Sequence, residues 1–193
     1  MKKKVIIVII VLIVLGVVGI LFSVGDKKDT LSNDIEMFSL GKKEYKLIVG
    51  DTLECSAWNS NDCYLNDTKL SSYPVLLNGV TIGTDYRDVI DKFNIKSGYA
   101  NLNMEVPTEE HDGTTDIIDV LYKNDDSFTD DFLDAVIEFG YEKTSEGWKM
   151  VKYSDIDNAD ILFGIDINGF DDHEEVDENK VIMINIEYLN GNR

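Results

Sequence analysis

Two stretches of this chain are crowded with carboxylate and amide side chains: Asp155, Asp157, Asn158 and Asp160, then Asp166, Asn168, Asp171 and Asp172. Oxygen ligands of this kind suit calcium, which takes about six to eight of them. A calcium loop of the helix-loop-helix type also needs glycine at its sixth position and a closing glutamate, and both are missing here. Asp166, Asn168, Asp171 and Asp172 are therefore calcium candidates only at the loop Gly169 to Asn179, whose plain reading is a solvated hairpin loop.

The two histidines offer less. His111 stands among Glu109, Glu110 and Asp112, and His173 among Asp172, Glu174 and Glu175. Adjacent carboxylates raise a histidine's pKa and hold it protonated, which is the wrong state for a general base. Ser39-x-x-Lys42 falls in an expected strand and turn, and no serine has the setting of a nucleophile elbow. No catalytic residue is assigned. A hydrolase using a pair of carboxylates is the alternative that so acidic a chain leaves open.

The two cysteines, Cys55 and Cys63, flank the polar segment Trp58-Asn59-Ser60-Asn61-Asp62. Outside the cytosol their default fate is a disulfide, and a loop this short contributes roughly 2.5 kcal/mol in the chain-entropy model. Adding the histidines does not make a metal site, because the short ligand spacing of such sites is absent.

Compartment follows from the run Val5 to Val24, twenty residues without a charge. As a helix it would rise roughly 30 Å, the thickness of a bilayer core. Lys2, Lys3 and Lys4 precede it, and positive charge stays on the cytoplasmic side. The expected layout is a cytoplasmic tail at 1–4, a membrane anchor at 5–24, a tether at 25–34 and an extracytoplasmic domain at 35–193. A cleaved signal peptide is the rival reading, with Ser23-Val24-Gly25 as its processing site, but the apolar run is longer than such peptides use. Either way the domain is exported.

Three of the 18 basic residues precede the run, leaving 15 against 37 acids and a balance of −22 from Asp26 onward. Such charge repels nucleic acid, phosphate-rich polymers and anionic membrane surfaces. Arginine is limited to Arg87 and Arg193, so a bidentate phosphate clamp is hard to build. No cofactor is expected beyond the calcium candidate. The expected partners are the membrane, through residues 5–24, and an envelope or surface protein.

These residues must be positioned by the elements around them. Ile35 to Leu40, Tyr45 to Val49 and Thr52 to Trp58 read as strands separated by Gly41-Lys42-Lys43 and Gly50-Asp51. Val75 to Ile82 reads as a hairpin or a bent strand pair about Asn78-Gly79. Thr84 is placed to cap a helix in which Tyr86, Val89, Ile90 and Phe93 form the buried stripe and Asn94 the stop. Strands are expected over Tyr99 to Val106 and Thr115 to Tyr122, joined by the acidic loop Pro107 to Gly113. A second helix is expected from a cap at Thr129 through Phe132, Leu133, Val136 and Ile137 to Gly140; a strand over Val136 to Tyr141 is the competing reading. Trp148 to Tyr153, Ile161 to Ile167 and Val181 to Tyr188 complete the set, the last two as a long-looped hairpin. The sum is an α+β fold: an N-terminal transmembrane helix, then one domain of mainly antiparallel sheet with two short amphipathic helices.

Ile82-Gly83-Thr84, followed by Val89 and Phe93, resembles the strand, glycine turn and short helix of exported bacterial modules of the BamE-like and beta-lactamase-inhibitor-like kind. The likeness spans about fourteen residues, and Asn94-Ile95-Lys96 replaces the Gly-x-Pro that often closes it. Such modules are small non-catalytic binding units, so the resemblance implies an interaction role in a bacterial envelope. No binding residue is carried across.

Overall fold

Alternation at a period of two governs about half of the residues described by the computed structural model, which are 34–57, 62–76, 79–105, 134–168 and 179–189, all within the compact unit Leu31–Arg193. A small sheet is built from β1 (Met37–Leu40), β2 (Lys43–Lys46) and, after three intervening strands of the large sheet, β6 (Val75–Leu76), in the order β2-β1-β6. The large sheet contains β3 (Thr52–Ser56), β4 (Asp62–Leu65), β5 (Thr68–Lys69), β7 (Ala100–Glu105), β8 (Asp134–Thr144), β9 (Gly147–Met150), β10 (Ile161–Asn168) and β11 (Lys180–Tyr188). Its order is β5-β4-β3-β11-β10-β8-β7, with β9 pairing the far end of β8, and every pairing is antiparallel.

One face of this sheet is the core. Leu53 and Cys55, Ile184 and Ile186, Ile161, Phe163 and Ile165, Ile137 and Phe139, and Leu102 are each at most 2% exposed. The single α-helix among the described residues, α1 (Tyr86–Phe93), lies against it through Tyr86, Val89, Ile90 and Phe93. Phe93 meets Phe139 and Phe163 with ring centroids 4.9 and 5.2 Å apart. The helix begins where Asp85 accepts a hydrogen bond from Arg87 N, and it ends at Asn94 in the left-handed conformation. Gly83–Asp85 then runs beside the start of β11: Gly83 N donates to Val181 O, Val181 N to Thr84 O, and Lys180 Nζ sits 3.0 Å from Asp85 Oδ2.

The two sheets are joined by a buried carboxylate. Glu36, 3% exposed, accepts a hydrogen bond from Trp148 Nε1, and its other oxygen lies 3.0 Å from Lys46 Nζ and 4.0 Å from Lys143 Nζ. Lys143 also covers the Trp148 ring at 5.0 Å and donates to Tyr188 OH. Glu36 precedes β1 and Trp148 lies in β9, so this knot ties the small sheet to the large one.

The α+β expectation with two amphipathic helices is corrected: the described residues are mostly antiparallel sheet. The second helix is replaced by β8, an eleven-residue strand in which Ala135, Ile137, Phe139 and Tyr141 face the core. The same apolar residues satisfy a helical stripe or an alternating strand, and pairing with β7 and β10 on both sides decides for the strand. No helix among the described residues is long and apolar enough to cross a membrane, and Val5 to Val24 lies outside them. So do Thr115 to Tyr122, Pro107 to Gly113 and the cap at Thr129. At Val75 to Ile82, Val75 and Leu76 pair with Ser39 and Phe38 of β1, and the chain turns tightly beyond them, with Leu76 N donating to Val80 O and Gly79 N to Leu76 O.

Beside the sheet runs a 3-10 segment, Tyr153–Asn158, where the sequence reading placed only an acidic run. Gly140 of β8 lies directly under it. A Cβ at that position would stand 2.6 Å from Ala159 Cβ and 3.0 Å from Ile156 Cδ1.

Candidate functional site

Because side chains alternate across a strand, the residues between the core positions share the opposite face of the large sheet. Register places six of them side by side in one row across the strands. Tyr64 of β4 pairs with Glu54 of β3, Glu54 with Asn185 of β11, Asn185 with Gly164 of β10, Gly164 with Glu138 of β8, and Glu138 with Asn101 of β7. The row thus reads aromatic, carboxylate, amide, glycine, carboxylate, amide.

Its centre is a saddle. A Cβ at Gly164 would meet nothing closer than Asn185 Cβ, at 3.8 Å, an ordinary contact, so the position has room for a methyl group. Beside it Asn185 Oδ1 is buried with no hydrogen-bond donor. Glu54 and Glu138 stand exposed on either side, and neither has a lysine or arginine partner among the described residues. One rim is fixed: Tyr153 OH donates to Glu138 Oε2 at 3.1 Å and takes a hydrogen bond from Asn101. Burial, then the nearby Glu138 charge, pushes the Tyr153 phenol above its ordinary pKa, so it stays a donor at neutral pH.

Such a face offers mostly acceptors between Glu54 and Asn101, and Lys69 of β5, opposite Tyr64, adds one cation at the far end of the row. It suits an extended, donor-bearing ligand lying across the strands: amide and hydroxyl groups over Asn185, ammonium or guanidinium groups over the two glutamates. Strands lie about 4.8 Å apart, so the three steps from β3 to β8 put Glu54 and Glu138 roughly 14 Å from one another. A glycosidase-type pair needs about 5 to 9.5 Å. Glu54 and Glu138 are therefore too far apart to act as such a pair.

The sequence-derived candidates fall elsewhere. Asp166 lies in β10 opposite Met183 and Val136, at the point where the register with β11 shifts. Asn168 ends the strand fully buried, with its carbonyl accepting from Asn179 N at 2.7 Å. Asp171, Asp172, His111 and His173 lie outside the described residues. Among the described residues no group of three or more histidine, cysteine, aspartate or glutamate side chains is placed to hold a metal ion. In the first acidic run, Asp160 accepts from Lys143 N at 2.7 Å, whereas Asp155 and Asp157 are exposed on the 3-10 segment. Cys55 and Cys63 are register partners across β3 and β4, joined by a disulfide and buried in the core.

Glu54, Asn185, Gly164, Glu138 and Tyr153 were passed over by sequence reasoning. The first four are outward strand positions that only register brings into one row, and Tyr153 is an isolated polar residue of the 3-10 segment beside it. A glycine inside the apolar run Ile161 to Ile165 was the one visible signal. No protein-family model matches the chain, and no curated protein or solved structure matches it either.

Proposed function

We propose that this protein is a non-catalytic binding domain of a bacterial envelope, held at the membrane, that takes a protein partner across the polar face of its large sheet. The observation that carries the reading is Asn185, whose buried carbonyl oxygen lacks a donor beside Gly164. Leaving such an acceptor unmatched costs about 1–3 kcal/mol, a cost that a ligand's N–H or O–H removes. Membrane attachment is supported by the uncharged run Val5 to Val24 behind three lysines, and export by the paired cysteines. Confinement near a bilayer raises the domain's effective concentration toward neighbouring envelope proteins. The likeness of Ile82 to Phe93 to exported interaction modules points the same way.

The test is cross-linking capture of the intact protein from its native membrane, with variants chosen on and off the face. Glu54→Lys and Gly164→Leu reverse a charge and fill the saddle at positions with room for the new side chain. Both are expected to lose the captured partner, while Asp88→Lys on the exposed side of α1 keeps it. Equal capture by all three would sink the assignment of the face.

A further inference from the structure

Large apolar side chains exposed among the described residues are few, and three of the four lie within five positions: Tyr45 at 37%, Ile48 at 63% and Val49 at 49%. The turn that carries the last two is built rigidly. Asp51 N donates to Ile48 O, and Gly50 takes φ +94°, the third-position geometry of a type II turn. Asp51 Oδ2 accepts from Ile48 N and Oδ1 from Asn66 Nδ2, so its carboxylate is spent inside the turn. Gly50 N and Asp51 O bond to the backbone of Tyr188 at the end of β11. Gly50 and Asp51 alone set this conformation. Nothing in it asks Ile48 or Val49 to be apolar, and turn tips normally carry polar residues.

Its place in the fold indicates what covers it. Met37 pairs with Lys46, and Leu47 N donates to Glu36 O, so the turn projects from the end of the β1–β2 hairpin where the chain enters the domain. Nine residues, 25–33, separate that entry from the apolar run Val5 to Val24. Nine residues can reach at most about 30 Å at full extension. Lys46 and Lys143, each more than half exposed, hold their ammonium groups at the same end, around Glu36.

We infer that Ile48 and Val49 form a membrane-resting knuckle: the turn Ile48–Asp51 inserts its two aliphatic side chains into the headgroup boundary of the bilayer, with Lys46 and Lys143 near lipid phosphates. This contact fixes the domain's orientation and leaves the polar face of the large sheet directed along the surface or away from it. The inference rests on the membrane reading proposed above, and its test separates the two.

The full chain is reconstituted in vesicles of phosphatidylcholine and phosphatidylglycerol, with and without bromine on the upper acyl chains. Val49→Trp adds a tryptophan at the tip, and Val75→Trp adds one at the far edge of the small sheet; the unsubstituted chain supplies the background of Trp58 and Trp148. Both sites are exposed, so neither change disturbs the core. The expected result is a blue-shifted emission from Val49→Trp that brominated lipid quenches, with the emission added by Val75→Trp left intact. A chain that floats with the vesicles while Val49→Trp stays unquenched, or while both variants are quenched alike, overturns the knuckle and leaves the membrane reading standing. A chain that does not float overturns both.

Discussion

Asn185 and Tyr141 are buried polar residues with opposite accounts. Tyr141 sits in the core under α1 and donates its hydroxyl to Phe93 O at 3.3 Å, whereas Asn185 Oδ1 has no donor at all. An unmatched acceptor in a strand is a stability defect, and replacing it with a β-branched apolar residue removes the defect and fits the pleat. Asn185→Val is therefore expected to raise the unfolding free energy by about 1 kcal/mol, read by urea denaturation, while weakening partner capture. A loss of stability in that variant would mean the amide has a structural task and the saddle is not a site. Burial pushes the Tyr141 phenol well above its ordinary pKa. Below about pH 10 both the folded and the unfolded protein keep that proton; above it only the unfolded chain ionises, so stability falls as pH rises. The fall attributable to Tyr141 approaches about 1.4 kcal/mol per pH unit. Tyr141→Phe should flatten the alkaline limb of a stability profile relative to the parent, and parallel limbs would count against the buried, neutral phenol.

Strands and helices share the logic of one buried stripe, and β8 is where that logic fails to discriminate. Phe132, Leu133, Val136 and Ile137 follow helical spacing, yet Ala135, Ile137, Phe139 and Tyr141 follow the strand period equally well, and the latter set is buried. Where the pattern has a single solution, sequence reasoning succeeds. The alternating β10 and β11 pair as expected, and α1 carries the anticipated stripe and stop, although Asp85 rather than Thr84 caps it. The polar row was illegible for a different reason: it is a property of register across six strands, and alternation within one strand says nothing about which neighbour lies beside it. Two glycines in adjacent strands make this testable. At Gly140 a methyl would be driven into Ala159, Ile156 and Leu162, so Gly140→Ala is expected to cost about 1–3 kcal/mol and loosen the 3-10 segment. At Gly164 the nearest atom is an ordinary contact away, so Gly164→Ala is expected to be neutral or to stabilise by up to about 1 kcal/mol. Chemical denaturation of the two variants side by side checks the contrast, and equal effects would mean the 3-10 segment does not bear on β8.

At the scale of the molecule the balance of −22 from Asp26 onward sets long-range repulsion against a handful of local attractions. The ion pairs among the described residues are mostly exposed on one side: Lys46 with Glu36, Lys180 with Asp85, Lys149 with Glu142, Lys69 with Asp62 and Lys92 with Asp88. Pairs of this kind are worth about 0–1 kcal/mol each and weaken with salt. Repulsion among the 37 acids is also screened, as the Debye length falls from about 10 Å at 0.1 M to about 3 Å at 1 M salt. The two effects oppose one another, and numbers decide: acids exceed bases by more than two to one, so screening should relieve more than it removes. Sodium chloride is expected to raise the melting temperature of the intact chain, with each kcal/mol of relieved repulsion worth about 2–4 °C. Sucrose, which strengthens burial without screening charge, separates the electrostatic part. A melting temperature that falls as salt is added would mean that the knot around Glu36 and the Lys180–Asp85 pair outweigh the field of the whole molecule. In that case Glu36→Gln should abolish most of the salt dependence.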